Sequence, residues 1–141
     1  MKDPGAEMQK AIHAALMASG DLATAMGGAV RAYDKVVPNP AYPFIRIGDD
    51  DAHGIGGSCG DGWEFFATLH IFSRDARAPR MEVKGIANAA LSAIANFAAL
   101  PAPTGCVVRD AELVQSRTFF EDEGVTAHGV ATVRYVVRAT A

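Results

Sequence analysis

The sequence predicts an α+β fold, a mostly antiparallel four-stranded sheet with helices packed on one face. Trp63–Ser73 alternates strictly between two sets of side chains, as a β-strand does. Arg80–Ala98 is rich in alanine and repeats its larger apolar residues at helical spacing. Two further alternating runs flank Glu121–Gly124, whose acidic residues and glycine are typical of a hairpin turn. With 141 residues, the chain is expected to form a single domain over residues 1–141.

The Trp63–Ser73 strand is predicted to be apolar on both of its faces. One face holds Trp63, Phe65, Ala67, Leu69 and Ile71, and the other holds Glu64, Phe66, Thr68, His70 and Phe72. The chain's own helices can cover only one of these faces. The second face, where Phe66 and Phe72 stand beside polar neighbours, is therefore predicted to contact a partner.

The first part of the chain is predicted to be mainly helical. A helix is expected over about residues 6–18, where an apolar stripe is formed by Met8, Ile12, Ala15 and Leu16. A short second helix, Leu22–Met26, is predicted to be capped by Asp21. Val30–Val37 is expected to be a short strand or an extended segment, because the prolines that follow exclude a central strand.

The remaining strands are predicted to form two antiparallel pairs. Phe44–Gly48 is expected to pair with the Trp63–Ser73 strand, and Ala111–Phe120 with Val125–Ala139. Between the first two lies Asp49–Gly62, with five glycines, four aspartates and no apolar period. This composition predicts a mobile loop, long enough to suggest a part in function or assembly.

Composition argues against several classes of protein. The net charge of −3 is not that of a general nucleic-acid binder, which would present a basic face. No apolar run approaches the roughly 20 residues that span a bilayer. The first five residues lack the apolar core of a signal peptide, so the chain is expected to be made in the cytosol.

A catalytic or metal site is a competing interpretation, and it depends on Asp49–Asp51 with His53. Adjacent carboxylates in a loop can hold a divalent cation, but the spacing is not that of an EF-hand. Cys59 and Cys106 lack a zinc-type spacing, and no nucleophile lies in a recognisable motif. The alternative function is therefore a small enzyme or a ligand- or metal-binding domain that uses this loop.

Charged residues near the C-terminus form a second candidate interface. The arginines on the two last strands are Arg117, Arg134 and Arg138, and the acids of the intervening turn are Glu121, Asp122 and Glu123. These residues can be a polar outer face of the sheet, or they can form ion pairs between subunits, and both interpretations can hold at once.

The order and spacing of several motifs resemble those of the tail-completion, or tail-terminator, proteins of long-tailed phages and related gene transfer agents. The resemblance covers about residues 8–138. It is strongest in the strings P-F-I-R-I-G-D and L-H-I-F-S-R. The segments that match are Gly27–Asp34, Pro40–Asp49, Asp61–Glu64, Leu69–Arg74, Glu82–Ala98, Phe119–Asp122 and His128–Val130.

This resemblance implies a structural protein without catalytic residues, metal or cofactor. It implies a hexameric ring at the head-proximal end of a tail tube, where the ring stops tube polymerisation and meets the head-completion or connector protein. The implied partners are other copies of the chain, the tail tube protein and that connector. The resemblance implies no membrane and no sequence-specific nucleic-acid binding, with DNA passing through the ring. The expected location is a virion or gene transfer agent particle, assembled in the host cytoplasm.

Overall fold

The computed structural model of the chain describes residues 3–56, 62–96 and 100–140. Three helices and five strands are present in these residues. In chain order they are α1 (Gly5–Ala18), α2 (Gly20–Ala25), β1 (Ala32–Tyr33), β2 (Phe44–Ile55), β3 (Gly62–Ser73), α3 (Pro79–Ile94), β4 (Cys106–Phe120) and β5 (Ala127–Ala139).

The strands form one sheet in the order β1-β2-β3-β5-β4. The two predicted antiparallel pairs are confirmed, since β2 pairs with β3 and β4 with β5, and β3 joins the two pairs by lying antiparallel to β5. The fifth strand, β1, is only two residues long and runs parallel to β2. The α+β class is therefore confirmed, with a short parallel strand added at one edge.

All three helices contribute to the core on one face of the sheet. The α3 helix crosses β3 and β5, and its Val83, Ile86 and Ile94 are fully buried. Pro79 begins this helix, where its fixed φ suits the first turn. The helix ends at Ile94, whose carbonyl accepts a hydrogen bond of 2.7 Å from the buried Tyr135 hydroxyl. The β3 residues of the same face are buried with it, and they are Phe65, Ala67, Leu69 and Ile71.

Trp63, the one tryptophan of the chain, lies at the start of β3 on this covered face. It pairs with Gly54 of β2 and with Val137 of β5. Its side chain is partly buried and packs against the core. The indole therefore stands close to the end of the β2 edge.

The predicted loop at 49–62 is wrong for its first half. Asp49–Ile55 continues β2, where Ala52 pairs with Phe65 and His53 with Glu64. Pairing with β3 overrides a composition that disfavours strands, because each added residue completes backbone hydrogen bonds to an existing strand. A register shift between Gly48 and Asp50 lies where the mainly apolar first part of β2 meets its acidic second part. The rest of the predicted loop includes residues 57–61, which lie outside the described residues.

Three predicted boundaries also differ from the structure. The β4 strand begins at Cys106, so the extended region predicted from Cys106 and the strand predicted from Ala111 are one continuous strand. Ser19 caps α2 in place of Asp21, because its hydroxyl accepts the Leu22 N–H at 3.1 Å. The α3 helix ends at Ile94, and residues 97–99 of the predicted 80–98 helix lie outside the described part of the chain. No helix among the described residues has the length and apolar character that a membrane span requires.

Candidate assembly surface

The sheet face opposite the helices is called the open face here. Along β3 and β5, burial alternates residue by residue, with buried side chains under the helices and half-buried ones on the open face. Its members are Phe44, Arg46, Asp51 and His53 of β2; Glu64, Phe66, Thr68, His70 and Phe72 of β3; His128, Val130, Thr132, Arg134, Val136 and Arg138 of β5; and Asp110, Glu112, Gln115, Arg117 and Phe119 of β4.

An aromatic row crosses four strands at one end of the open face. It consists of Phe44, Phe72, His128 and Phe119, which the strand register places side by side. Adjacent ring centroids lie 4.9, 4.3 and 4.8 Å apart in that order. Phe72, which the sequence predicted as a partner contact, is thus a central member of a row of adjacent rings and stacks on both Phe44 and His128. Contacts of this kind strengthen packing beyond the area that they bury.

Two histidines and a glutamate form a hydrogen-bonded chain beside the aromatic row. The His128 Nδ1 lies 2.8 Å from Glu121 Oε1, and the His128 Nε2 lies 2.8 Å from His70 Nδ1. A donor at His128 Nδ1 makes its Nε2 the acceptor, so His70 donates from Nδ1. The remaining nitrogen of His70, Nε2, is buried without a partner among the described residues. Burial, followed by the nearby Arg46 and His128, lowers the pKa of His70 to about 4.

Arg134 is the centre of an ion cluster in the middle of the open face. Its guanidinium donates to Glu64 on one side, and lies 3.3 Å from Glu112 and 4.0 Å from Asp110 on the other. The hydrogen bond to Glu64 is the largest cause that raises the pKa of Arg134. Sequence reasoning identified the arginine but missed these three acids. The strict alternation of β3 and β5 could have indicated the Glu64 contact.

The turn acids have partners within their own chain. Besides Glu121, which faces His128, Glu123 accepts the Thr126 N–H at 2.8 Å and lies 3.9 Å from Arg74. The contacts to Thr126 are the main cause of a lowered pKa for Glu123. Asp122 is exposed at the turn. Among the described residues, the turn acids and Arg134 are not brought together.

The other open-face arginines lack a carboxylate partner within the described residues. The Arg117 guanidinium lies 5.1 Å from the centre of the Phe119 ring. Arg46 and Arg138 lie over Gly48 and Gly62, where a Cβ atom would collide with each guanidinium. The two glycines therefore let these side chains lie flat on the strand. Phe66 stands between the Arg134 cluster and His53. The centroids of the Phe66 and His53 rings lie 6.0 Å apart.

The acidic run Asp49–Asp51 lies along the outer edge of β2. After the register shift, Asp51 and His53 share the open face, whereas Asp50 pairs with Ala67 on the opposite face. Burial, and then Asp3 and the two neighbouring aspartates, raise the pKa of Asp50. Within residues 3–56, 62–96 and 100–140, no three His, Cys, Asp or Glu side chains converge on a point that could hold a metal ion.

A groove of about 400 Å³ lies between α1 and the β1–β2 edge. Its lining residues are Ala6, Gln9, Lys10, His13, Asp34 and Ile47. The His13 Nε2 lies 3.3 Å from the Ala32 carbonyl, a contact that holds α1 against β1. The described residues that line the groove do not combine a nucleophile with an adjacent base.

Comparison with known proteins gives two findings. A protein-family model described as "Tail completion protein gp17" matches residues 10–138. Among solved structures, a chain of the "Virion of native gene transfer agent (GTA) particle" has the same fold, with a TM-score of 0.79 and 20% sequence identity. The similarity covers 93% of this chain and 94% of that chain. No curated protein matches by sequence.

Proposed function

The chain belongs to the tail completion protein gp17 family of phage tail structural proteins, and from this we propose that it acts as a tail terminator. In this role, copies of the chain close into a hexameric ring on the head-proximal end of a tail tube. The ring covers the surface on which the next tube subunit would add, so the tube stops growing. Its other side provides the surface on which the head is joined.

The open face is the single observation that supports this role best. It extends across four strands and carries a partly buried aromatic row, together with arginines that lack carboxylate partners among the described residues. A monomeric enzyme has little use for such a surface, whereas a subunit held by several neighbours needs it. The described residues also lack a convergent metal-binding set.

The proposed partners are other copies of the chain, the tail tube protein and a head-completion or connector protein. Neither a membrane nor a specific nucleic-acid sequence is part of the proposal, and DNA passes through the ring lumen. The proposed contact residues are Phe66, Phe72, Arg117, Glu121, Asp122, Glu123, Arg134 and Arg138. Among the arginines, Arg117 and Arg138 are the most available to a partner, because Arg134 already contacts three acids of its own chain.

Deletion of the gene in a strain that makes the particles tests the proposed function directly. We expect overlong tails, or tails of normal width that do not join heads, in electron micrographs. Expression of the chain from a plasmid should restore normal tail length and joining. Normal tail lengths together with normal joining in the deletion strain would exclude a terminator role.

Assembly of the purified chain can be measured separately. We expect light scattering and negative-stain images to show rings, either free in solution or on the ends of purified tail tubes. A chain that stays monomeric and leaves tube ends bare would contradict the proposal, even if its structure is unchanged.

A further inference from the structure

We propose that neighbouring copies join through their free sheet edges, with the outer edge of β4 in one copy adding to the 47–55 edge of β2 in the next. This inference rests on the proposed ring and specifies which surfaces hold it together. The partner is thus a second copy of this chain, recognised by strand pairing, by complementary charge and by apolar contact.

Both edges have unused backbone groups. The β4 strand is 15 residues long and, among the described strands, pairs with β5 alone, so it forms one edge of the sheet. At the opposite edge, β1 pairs with Ile45 and Arg46 of β2 and leaves residues 47–55 without an outer neighbour among the described strands. An edge strand presents unpaired N–H and C=O groups to whatever strand comes alongside.

Strand direction fits a closed ring. Each neighbouring pair from β2 through β3 and β5 to β4 is antiparallel, so β2 and β4 run in opposite directions. Rotation about a ring axis preserves the direction of every strand relative to that axis. The β4 strand of one copy therefore meets β2 of the next copy antiparallel. This junction continues the alternation that the sheet already has.

The β4 edge carries two exposed apolar side chains between its charged residues Glu112 and Arg117. Leu113 and Val114 are 48% and 52% exposed, and they lie at a register shift between Leu113 and Gln115. Free edges in stable monomers are usually shielded by lysine, proline or inward-pointing charges. Two adjacent exposed aliphatic residues indicate instead that a neighbour covers this part of β4.

The charges of the two edges are complementary once the register is considered. Arg117 of β4 has no carboxylate partner among the described residues, and Asp49–Asp51 crowd three carboxylates along the β2 edge. In the sheet's own register, Arg117 lies in the row of Arg46, which would oppose like charges. The β1 strand blocks that alignment by covering Arg46. An incoming β4 that is displaced toward Ile55 avoids β1 and can place Arg117 opposite Asp51 on the same open face, and this is the register that we propose.

Charge exchange at these two positions tests the edge pairing. We expect Arg117→Asp, or Asp51→Arg, to raise the dissociation constant of the ring about tenfold, measured by light scattering across a dilution series. The double variant Arg117→Asp/Asp51→Arg should return it to within about threefold of the original value. Arg77→Asp, at an exposed site between β3 and α3, is the matched control and should leave assembly unchanged. Melting temperatures of the monomers show that each variant is folded.

Cysteine cross-linking gives a direct readout that does not depend on charge. In a chain with Cys59→Ser, the pair Arg117→Cys/Asp51→Cys should form a ladder of covalent oligomers when rings are oxidised, and neither single cysteine should do so. Cys106 is buried and stays in place. Rings that form without a ladder, and that tolerate the charge reversals, would overturn edge pairing and leave the terminator role intact. A wild-type chain that forms no ring and does not bind tube ends would instead overturn the terminator role itself.

Discussion

Tyr135 ties the last turn of α3 to the sheet. Its ring is fully buried on β5, and its hydroxyl donates to the Ile94 carbonyl, one of the helix-terminal acceptors that the helix cannot satisfy itself. Burial raises the pKa of Tyr135 well above its ordinary value, so the hydroxyl keeps its proton. A single side chain thus satisfies a carbonyl at the end of the helix and links that end to the sheet.

Replacing Tyr135 with phenylalanine removes only this hydrogen bond. We expect a loss of about 1–2 kcal/mol in the free energy of unfolding, because the Ile94 carbonyl is left buried without a donor. Denaturant unfolding measures it. Tyr33→Phe is the control: its hydroxyl makes no hydrogen bond to a described residue, so a loss below about 0.5 kcal/mol is expected. Equal losses would contradict the role given to Tyr135.

The low pKa of His70 predicts a loss of stability in acid. Below its ordinary pKa of about 6.5, His70 takes up a proton in the unfolded chain, but in the folded chain only near pH 4. Stability is therefore present above about pH 6.5 and falls toward pH 4. Solvent screening of the partly exposed ring limits the loss to roughly 1 kcal/mol.

Glutamine at position 70 should reduce this acid sensitivity. When the pH is lowered from about 7 to about 5, the melting temperature of both proteins should fall. We expect the fall to be roughly 3 °C smaller in His70→Gln than in the original chain. His53→Gln, at an exposed position of β2, is the control and should behave as the original chain does. An unchanged pH dependence in the His70 variant would show that another group causes the effect.

At the scale of elements, the approach of α3 to the sheet depends on Gly129 of β5. A Cβ atom at this position would collide with Val83 of the helix. The glycine therefore lets a β-branched residue of α3 rest directly on the strand. Gly85 lies on the same helix, with open space where its Cβ would be.

Alanine at these two glycines should have opposite effects. We expect Gly129→Ala to destabilise the fold by about 1–3 kcal/mol through overpacking, and Val83→Ala added to it to recover part of that loss. Gly85→Ala should stabilise by roughly 0.5–1 kcal/mol, because alanine favours the helix. Thermal unfolding of the original chain and of these three variants measures the changes. If Gly85→Ala destabilised the fold, the space around position 85 of the helix would not be open, contrary to the structure.

Local sequence patterns predicted the helices and strands that bury one face. They failed for a segment that is a strand only because it pairs with a neighbouring strand. Trp63–Ser73 and α3 are recognisable because their apolar residues recur at the period of a strand and of a helix. Asp49–Ile55 has neither period, and it becomes a strand because β3 offers a partner. The two-residue β1 lies within Val30–Val37, where a short strand or an extended segment was predicted, but its parallel pairing with β2 leaves no pattern in the sequence.

The candidate surface was predictable only in part for a related reason. Strand alternation placed Phe66 and Phe72 on one face of their strand, and Arg134 with Arg138 on one face of the last strand. Only the pairing of β3 with β5 shows that these faces are the same one. The acids around Arg134 come from three positions whose alignment depends on strand register and on two register shifts in β4. Register is a property of the assembled sheet, which one strand's sequence does not contain.

For the whole molecule, the proposed ring should respond to salt. Exposed charges are screened beyond about 10 Å at 0.1 M and beyond about 3 Å at 1 M. We expect the ring's dissociation constant to rise with ionic strength, and to rise less in the Arg117→Asp variant, which has lost one of the attractions. Sedimentation velocity at several salt concentrations measures both slopes. Parallel slopes would indicate that Arg117 faces solvent in the ring.

The position of Trp63 gives the chain an internal optical probe of its own assembly. As the one tryptophan, it supplies the indole emission without ambiguity, and it stands one strand inward from the β2 edge. A neighbour that adds to this edge would remove water from around the half-buried ring, so the emission should move to shorter wavelength as rings form. The assembly of unlabelled chain could then be followed in real time, and at concentrations too low for scattering.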